Sequence, residues 1–241
     1  MNNPSRPIAL ITGASRRLGL HMTKSLLAQG WQVIVLTRAY EGDIAAINDA
    51  NLHCIECNMV NDESVSRAIE QVRAQTTTLD LLLHNASIYE KDQYHHSDQT
   101  RFYDNLYAIH MKLPARLNFA LADLLKASQR AQGNVIHITD IYVDNPSPEY
   151  ALYCSTKAGS ENLMKSFAKQ LAPAVRVNAI QPGPIKFLPE HSIEQQHTVL
   201  AETLLAVEGG FEALEKAIYA ILDNHYMTAS VVRVDGGRAL A

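Results

Sequence analysis

The chain has 241 residues, of which 47% are hydrophobic, a size that can bury one α/β core as a single domain spanning residues 1–241. Its formal charge of -4 is spread without long blocks, so we expect neither a nucleic-acid surface nor a membrane-spanning segment. Residues 1–6 lack the apolar stretch of a signal peptide, and Cys54 and Cys57 form a C-x-x-C without a second ligand pair. We therefore expect a cytoplasmic protein without a metal site.

Short apolar runs alternate with segments of helical periodicity along the whole sequence. Strands are predicted at 7–12, 31–37, 52–57, 79–84, 133–139, 175–179 and 230–234. Helices are predicted at 18–29, 42–50, 62–75 (capped by Asn61), 99–111, 114–127, 150–171, 193–206 and 211–224. Loops are expected at 90–98 and around Pro182, Gly183, Pro184 and Pro189. Right-handed crossovers between these elements predict a single-domain Rossmann fold, an α/β doubly wound parallel sheet of about seven strands.

The first strand ends in a glycine-containing turn that is typical of a dinucleotide site. Gly13 permits a tight turn and Gly19 permits close packing of helix on strand, so the helix N-terminus can face a pyrophosphate. Between them lie Arg16, Arg17 and Leu18, which we include in the predicted cofactor site. A positive side chain at the positive end of a helix dipole fits best beside a bound anion. The alternative for Arg17 is a solvated arginine at the start of the helix.

The second strand ends at Arg38 rather than at a carboxylate. An acidic side chain there would bond a ribose 2′-hydroxyl, whereas a guanidinium offers two donors to a 2′-phosphate. The expected cofactor is therefore NADPH.

Tyr153 and Lys157 lie four residues apart, so on a helix they share one face. An ammonium so close would lower the pKa of the tyrosine from about 10 toward the range useful for proton transfer. Together with the turn at Thr12–Gly13 and the segment 84–87, this pair resembles the short-chain dehydrogenase/reductase family, and the resemblance extends from Ile8 to Gly237.

Three residues in separate segments differ from most members of that family. Asp140 replaces a serine, and Arg17 and Ser87 each replace a glycine. At all three positions the sequence resembles the pteridine reductases of that family, and most of all the bacterial dihydromonapterin reductases. The resemblance implies NADPH-dependent reduction of a 7,8-dihydropterin, with dihydromonapterin expected as the substrate and dihydrofolate left open as a side activity.

The resemblance also implies roles for individual residues. Lys157 would bind the nicotinamide ribose, and Tyr153 would donate a proton or end a relay. Asp140 would bind pterin N–H groups, although it could instead be only a turn residue, and His110 would order water in place of the family's asparagine. Further contacts to the cofactor are implied for Asn58, Asn85, Ala86, Ser87, Pro182 and Gly183. Contacts to the substrate are implied for Arg17, Ser87, Tyr89, Asp140 and Tyr153.

Two of these roles have plain structural alternatives. Tyr89 is expected to stack on the pterin ring, but it could be an ordinary loop aromatic. Asn58 could be a turn former rather than a contact to adenine. For the whole chain, the rival functions are a carbonyl or 3-oxoacyl thioester reductase of the same fold and a catalytically silent NADPH-binding protein. Family members are often oligomers, so a homotetramer or homodimer is expected.

Overall fold

The computed structural model describes residues 6–187 and 191–240, and Pro189 lies outside them. One parallel sheet of seven strands carries the fold, in the order β3-β2-β1-β4-β5-β6-β7. The strands are β1 (Ile8–Thr12), β2 (Gln32–Thr37), β3 (Leu52–Glu56), β4 (Leu81–His84), β5 (Gly133–Ile138), β6 (Val175–Pro182) and β7 (Val231–Val234). The predicted doubly wound parallel sheet is confirmed.

Helices cover both faces of this sheet. They are α1 (Arg17–Ala28), α2 (Asp62–Gln75), α3 (Gln99–Tyr107), α4 (Leu113–Ala120), α5 (Ala122–Lys126), α6 (Ala151–Leu171), α7 (Ile193–Ala201) and α8 (Gly210–Asp223). One face of the sheet packs against α1 and α8, and the opposite face packs against α2, α4, α5 and α6. Because both faces are buried, the strands read as continuous apolar runs rather than as alternating ones.

The predicted helix at 42–50 is wrong beyond its first turn. The structure has only a 3₁₀ turn at Gly42–Ile44, and Ile44 is its one buried residue. Gly42 has φ of 63°, in the left-handed region that glycine tolerates. Beyond Ile44 only the partly buried Ile47 of this segment packs against the core, so a longer helix has little packing to stabilise it. Similarly, the helix expected to reach residue 206 ends at Ala201.

The two helices predicted at 99–111 and 114–127 join in the structure. A π turn, Ala108–Lys112, connects α3 to α4, and its last hydrogen bond runs from the Leu113 N–H to the Ala108 carbonyl. Pro114 follows at the start of α4 and has no N–H to continue the ladder. The π turn widens the helix and interrupts its regular hydrogen-bond ladder just before the proline. His110 lies within that turn.

The order of strands fixes where a ligand can bind. β1 pairs with β2 on one side and with β4 on the other. The strands that follow β1 are added toward one edge of the sheet, and those from β4 onward are added toward the opposite edge, so the strand order reverses between β1 and β4. Ligands of such sheets bind outside the carboxyl ends of the strands at this switch point. The turn after β1 and the segment after β4 both lie at that edge.

Candidate active site

The turn after β1 is built around two glycines. Gly13 has φ of 70°, and a Cβ there would lie 2.7 Å from the Ala86 Cα. A Cβ on Gly19 would lie 2.3 Å from the Gly13 carbonyl oxygen. Both positions therefore exclude any side chain, and the backbone at the start of α1 stays open to a ligand.

The segment after β4 is tied to the same turn. The Thr12 hydroxyl accepts hydrogen bonds from the backbone N–H groups of Asn85 (3.0 Å) and Ala86 (3.1 Å). The Asn85 amide in turn donates to the carbonyls of Thr12 (3.0 Å) and Gly13 (2.9 Å). The structure thus brings together Gly13, Gly19, Asn85 and Ala86, which the sequence predicts as cofactor residues in two distant segments.

The two arginines at the start of α1 differ in their surroundings. Arg16 is the exposed N-cap residue, whereas Leu18 turns into the core. Arg17 has φ of 52°, a left-handed conformation that favours glycine, which most of the similar family carries there. Its guanidinium donates to the Lys186 carbonyl at 2.7 Å and lies 5.7 Å from the centroid of the Phe211 ring. A non-glycine residue held in this conformation is the kind of strain that clusters at functional sites.

Arg38 and Asn58 lie at the ends of neighbouring strands. Arg38 is exposed after β2, and it forms no ion pair with any residue that the structure describes. Asn58 is exposed after β3, and its side-chain oxygen accepts from the Val60 N–H at 3.3 Å. That contact is the one a turn-forming asparagine makes, so the adenine contact of Asn58 stays a prediction. Pro182 is the last residue of β6, and the N–H of Gly183, which follows it, donates to the Val234 carbonyl at 3.0 Å.

Tyr153, Lys157 and Asp140 form the centre of the site. Tyr153 and Lys157 are both buried on one face of α6. The Tyr153 hydroxyl donates to Asp140 Oδ2 at 2.7 Å, and the Tyr142 N–H donates to Asp140 Oδ1 at 2.9 Å. Lys157 Nζ donates to the Ile138 carbonyl at 2.9 Å and lies 5.5 Å from the centroid of the Tyr153 ring.

The expected lowering of the Tyr153 pKa is wrong for this structure. Burial, together with the adjacent Asp140 carboxylate, raises the pKa of Tyr153 well above its ordinary value. The group that bonds the phenol is a carboxylate rather than the Lys157 ammonium, and a negative neighbour disfavours a phenolate. Burial also raises the pKa of Asp140 and lowers the pKa of Lys157 to about 8.

His110 connects two of the predicted segments. Its Nδ1 lies 2.8 Å from the Thr156 hydroxyl, which donates to the Tyr153 carbonyl, so Nδ1–H is the donor to Thr156. Its Nε2 is then the acceptor, and it lies 2.8 Å from the Ser87 hydroxyl. Burial, with Lys157 nearby, lowers the pKa of His110 well below its ordinary value, so the ring is neutral. Because both nitrogens are engaged with protein groups, the water-ordering role of His110 stays a prediction.

Tyr89 lies beside the tyrosine of the centre. Its ring is 5.0 Å from the Tyr153 ring in an edge-on arrangement, and it stacks on Tyr150 at 4.6 Å with an interplanar angle of 7°. Tyr89 remains 51% exposed. Tyr150 has no role in the sequence prediction; it is the N-cap residue of α6, three residues before Tyr153.

Two further histidines lie inside the protein rather than in loops. His84 and His137 pair in register on β4 and β5, with ring centroids 4.5 Å apart. Burial lowers the pKa of His84 to about 4 and that of His137 well below its ordinary value. Both are neutral core residues. Among the described residues, no group of three or more His, Cys, Asp or Glu side chains could hold a metal ion, and no helix is long and apolar enough to cross a membrane.

A doubly wound sheet with a buried Tyr–Lys pair at its carboxyl edge defines a Rossmann-type oxidoreductase. The chain belongs to the short-chain dehydrogenase family, which it matches over residues 7–197. It is 35% identical over 242 residues to the dihydromonapterin reductase of Enterobacter sp. (strain 638), covering 99% of both chains. It is 33% identical to the Klebsiella pneumoniae enzyme of the same name, covering 98% of this chain and 97% of that one.

Two solved structures are similar to this protein in both sequence and fold. FolM alternative dihydrofolate reductase 1 from Brucella suis in complex with NADP is 27% identical, with a TM-score of 0.86 over 99% of this chain and 96% of that chain. The Brucella canis protein complexed with NADP is 25% identical, with a TM-score of 0.85 over 98% of this chain and 95% of that chain. The predicted family resemblance is confirmed.

Proposed function

We propose that this oxidoreductase uses NADPH to reduce a 7,8-dihydropterin to the tetrahydropterin. Dihydromonapterin is the first substrate to test, and dihydrofolate is a candidate side activity. The observation that carries the proposal is the carboxyl of Asp140, hydrogen-bonded to the Tyr153 hydroxyl at 2.7 Å where a serine is usual in the family. The names of the relatives, dihydromonapterin reductase, and of the FolM structures support the same substrate class.

The residues at the carboxyl edge of the sheet suit a dinucleotide phosphate. The space that Gly13 and Gly19 leave at the start of α1 would receive the pyrophosphate. Exposed Arg38 would bond the 2′-phosphate, as its guanidinium is planar and always charged. Lys157 has three donors, of which one is used by the Ile138 carbonyl, so two can reach the ribose hydroxyls. NADPH supplies the hydride when it is bound.

Asp140 suits a substrate that presents N–H groups. An ionised carboxyl has about four acceptor positions, and Tyr142 and Tyr153 each donate to one oxygen of Asp140. The remaining positions can accept from the amide and amine N–H groups of a pterin. A ketone presents no such donor, and the serine common elsewhere in the family offers it a hydroxyl instead.

The reduction adds a hydride at C6 and a proton at N5 of the substrate. Tyr153 lies at the centre of the site, and its raised pKa keeps the hydroxyl protonated at neutral pH. We assign it as the donor of the proton or as the last group of a relay, and Tyr153→Phe separates these roles from direct protonation by water. The neutral ring of His110 holds Ser87 and Thr156 in place around the centre.

The test is oxidation of NADPH, followed by absorbance, with 7,8-dihydromonapterin, other 7,8-dihydropterins, dihydrofolate, simple ketones and 3-oxoacyl thioesters. The proposal predicts the highest kcat/KM with a dihydropterin. A higher value with an oxoacyl thioester or a ketone would favour the rival reductase, and no turnover with any compound would favour the silent NADPH-binding protein. Light scattering of the same sample would test the expected dimer or tetramer.

A further inference from the structure

Residues 89–92 and residues 149–152, which lead into α6, are joined beside Tyr153 by three separate contacts, which we call the clasp. Lys91 Nζ lies 2.7 Å from Glu149 Oε1. The Leu152 N–H donates to Asp92 Oδ2 at 3.3 Å. The rings of Tyr89 and Tyr150 stack face to face with centroids 4.6 Å apart. The residues of the clasp are Tyr89, Lys91, Asp92, Glu149, Tyr150 and Leu152.

The clasp rests on a small apolar cluster that includes the central tyrosine. This cluster contains buried Phe102, Leu106, Tyr153 and Cys154, and the half-buried side chains of Ile88, Tyr142, Tyr150 and Leu152 pack against it. On the far side of the first segment, His95 stacks on Phe102 with ring centroids 3.7 Å apart. The segment that carries Tyr89 is therefore held both by the clasp and by the His95–Phe102 stack.

This arrangement fixes the position of the Tyr89 ring but leaves part of the residue exposed to a ligand. One face lies against Tyr150 and an edge contact reaches Tyr153, while about half of the surface of the residue stays exposed. A loop aromatic that is free to rotate must lose that freedom when a flat ligand stacks on it, which weakens binding. A ring already held in position binds a flat heteroaromatic ligand without that loss.

We propose that the clasp holds Tyr89 in place as the aromatic wall of the substrate pocket. Tyr150, Lys91 and Glu149 are then positioning residues that set the affinity for a flat bicyclic heteroaromatic substrate without touching the reacting atoms. The inference rests on the proposed function, because a pterin is the flat substrate in question, and it goes beyond that function by assigning residues outside the catalytic centre. It predicts an effect on substrate affinity with little effect on cofactor binding.

The first test compares Tyr150→Ala with Tyr150→Phe. Binding is measured by titrating monapterin, an oxidised and fluorescent pterin, into enzyme saturated with NADP⁺, so that no hydride is present. Tyr150→Ala should raise the Kd by about two- to tenfold, the range expected for the loss of one aromatic stack. Tyr150→Phe keeps the stack and should stay within twofold of the wild type. KM for 7,8-dihydromonapterin should follow the Kd, while kcat and the Kd for NADPH change by less than about twofold.

The second test reverses the charges of the ion pair. Lys91→Glu and Glu149→Lys each place like charges opposite one another, so each should raise the pterin Kd, by up to about fivefold for a partly exposed pair. The double variant restores an opposite pair and should recover most of the wild-type affinity. Asp123→Lys is the matched control, because the Asp123–Arg73 pair has the same 2.7 Å separation between α5 and α2 and lies outside the clasp. It should leave the pterin Kd unchanged.

The outcomes separate this inference from the proposed function. If the wild type reduces the dihydropterin but Tyr150→Ala binds monapterin as tightly as the wild type, the clasp is wrong and the function stands. A double reversal that binds as poorly as its single variants also overturns the clasp. If the wild type neither binds nor reduces any pterin, both conclusions fail. Thermal unfolding of every variant shows whether a loss of affinity reflects loss of the fold.

Discussion

Substitution of Gly19 by alanine is a direct perturbation of the predicted pyrophosphate turn. A Cβ at this position would lie 2.3 Å from the Gly13 carbonyl oxygen, 2.7 Å from Asn85 Nδ2 and 2.8 Å from the Ala14 Cα. Two of these atoms belong to the backbone and cannot rotate away. Gly19→Ala must therefore push α1 away from the turn that precedes it.

Overpacking of a close contact costs about 1–3 kcal/mol, which corresponds to about fivefold to hundredfold in affinity if the distortion falls on the bound state. We expect Gly19→Ala to raise the Kd for NADPH by that factor, measured by fluorescence titration, with thermal unfolding recorded in parallel. Gly159→Ala is the control. The atoms nearest to its Cβ would all belong to the flexible side chain of Met111, and alanine favours the helix by about 1 kcal/mol over glycine. Binding of NADPH to Gly19→Ala within twofold of the wild type would refute this account of the turn.

Three further predictions concern the cofactor and the proton. The wild type should prefer NADPH to NADH. Arg38→Ala should reduce that preference in kcat/KM by about ten- to hundredfold, because the variant lacks a charged hydrogen bond of about 1.5–3 kcal/mol. Equal kcat/KM values of the wild type for the two cofactors would contradict this prediction. Tyr153→Phe should lower kcat by about 10²–10⁴-fold while NADPH still binds, whereas Lys157→Met should also weaken NADPH binding. Near-normal turnover of Tyr153→Phe would mean that water, rather than Tyr153, donates the proton. Burial lowers the pKa of Lys157 to about 8, so its positive charge is lost as the pH rises through that value, and kcat/KM for NADPH should fall above it. If the same fall of kcat/KM at alkaline pH persists in Lys157→Met, the titrating group is not Lys157.

Local patterns in the sequence predict much of the fold and the residues of the site. Asn61 accepts the hydrogen bond from the Ser64 N–H expected of an N-cap, and the spacing of Tyr153 and Lys157 places both on one buried face of α6. Gly13 and Gly19 lie where a side chain has no room. Each of these residues belongs to a short local motif, so a pattern can reveal it, although the space beside Gly13 is closed by Ala86 of a distant segment.

The features that the sequence did not predict depend on contacts between distant segments. The pKa of Tyr153 is raised first by burial and then by the Asp140 carboxylate at 2.7 Å, neither of which follows from the position of Lys157. The stacking of Tyr89 on Tyr150 joins segments that lie 61 residues apart in the chain (150 − 89). The helix predicted at 42–50 failed for a related reason, since beyond Ile44 a suitable local sequence packs little apolar surface against the core.

Replacement of Asp140 by serine restores the residue common in the family and tests the central claim on the substrate. Loss of a charged partner would leave pterin N–H groups unpaired, at a cost of about 1–3 kcal/mol. Asp140→Asn is the companion variant, since it keeps the size of the side chain but removes its charge.

The most direct measurement is therefore kcat/KM for 7,8-dihydromonapterin in Asp140→Ser beside the wild type, with NADPH affinity measured on the same samples. The account predicts a fall of about tenfold or more in kcat/KM, with NADPH affinity within a few-fold of the wild type. A serine variant that reduces the dihydropterin as efficiently as the wild type would contradict it, because Asp140 would then be only a turn residue after β5.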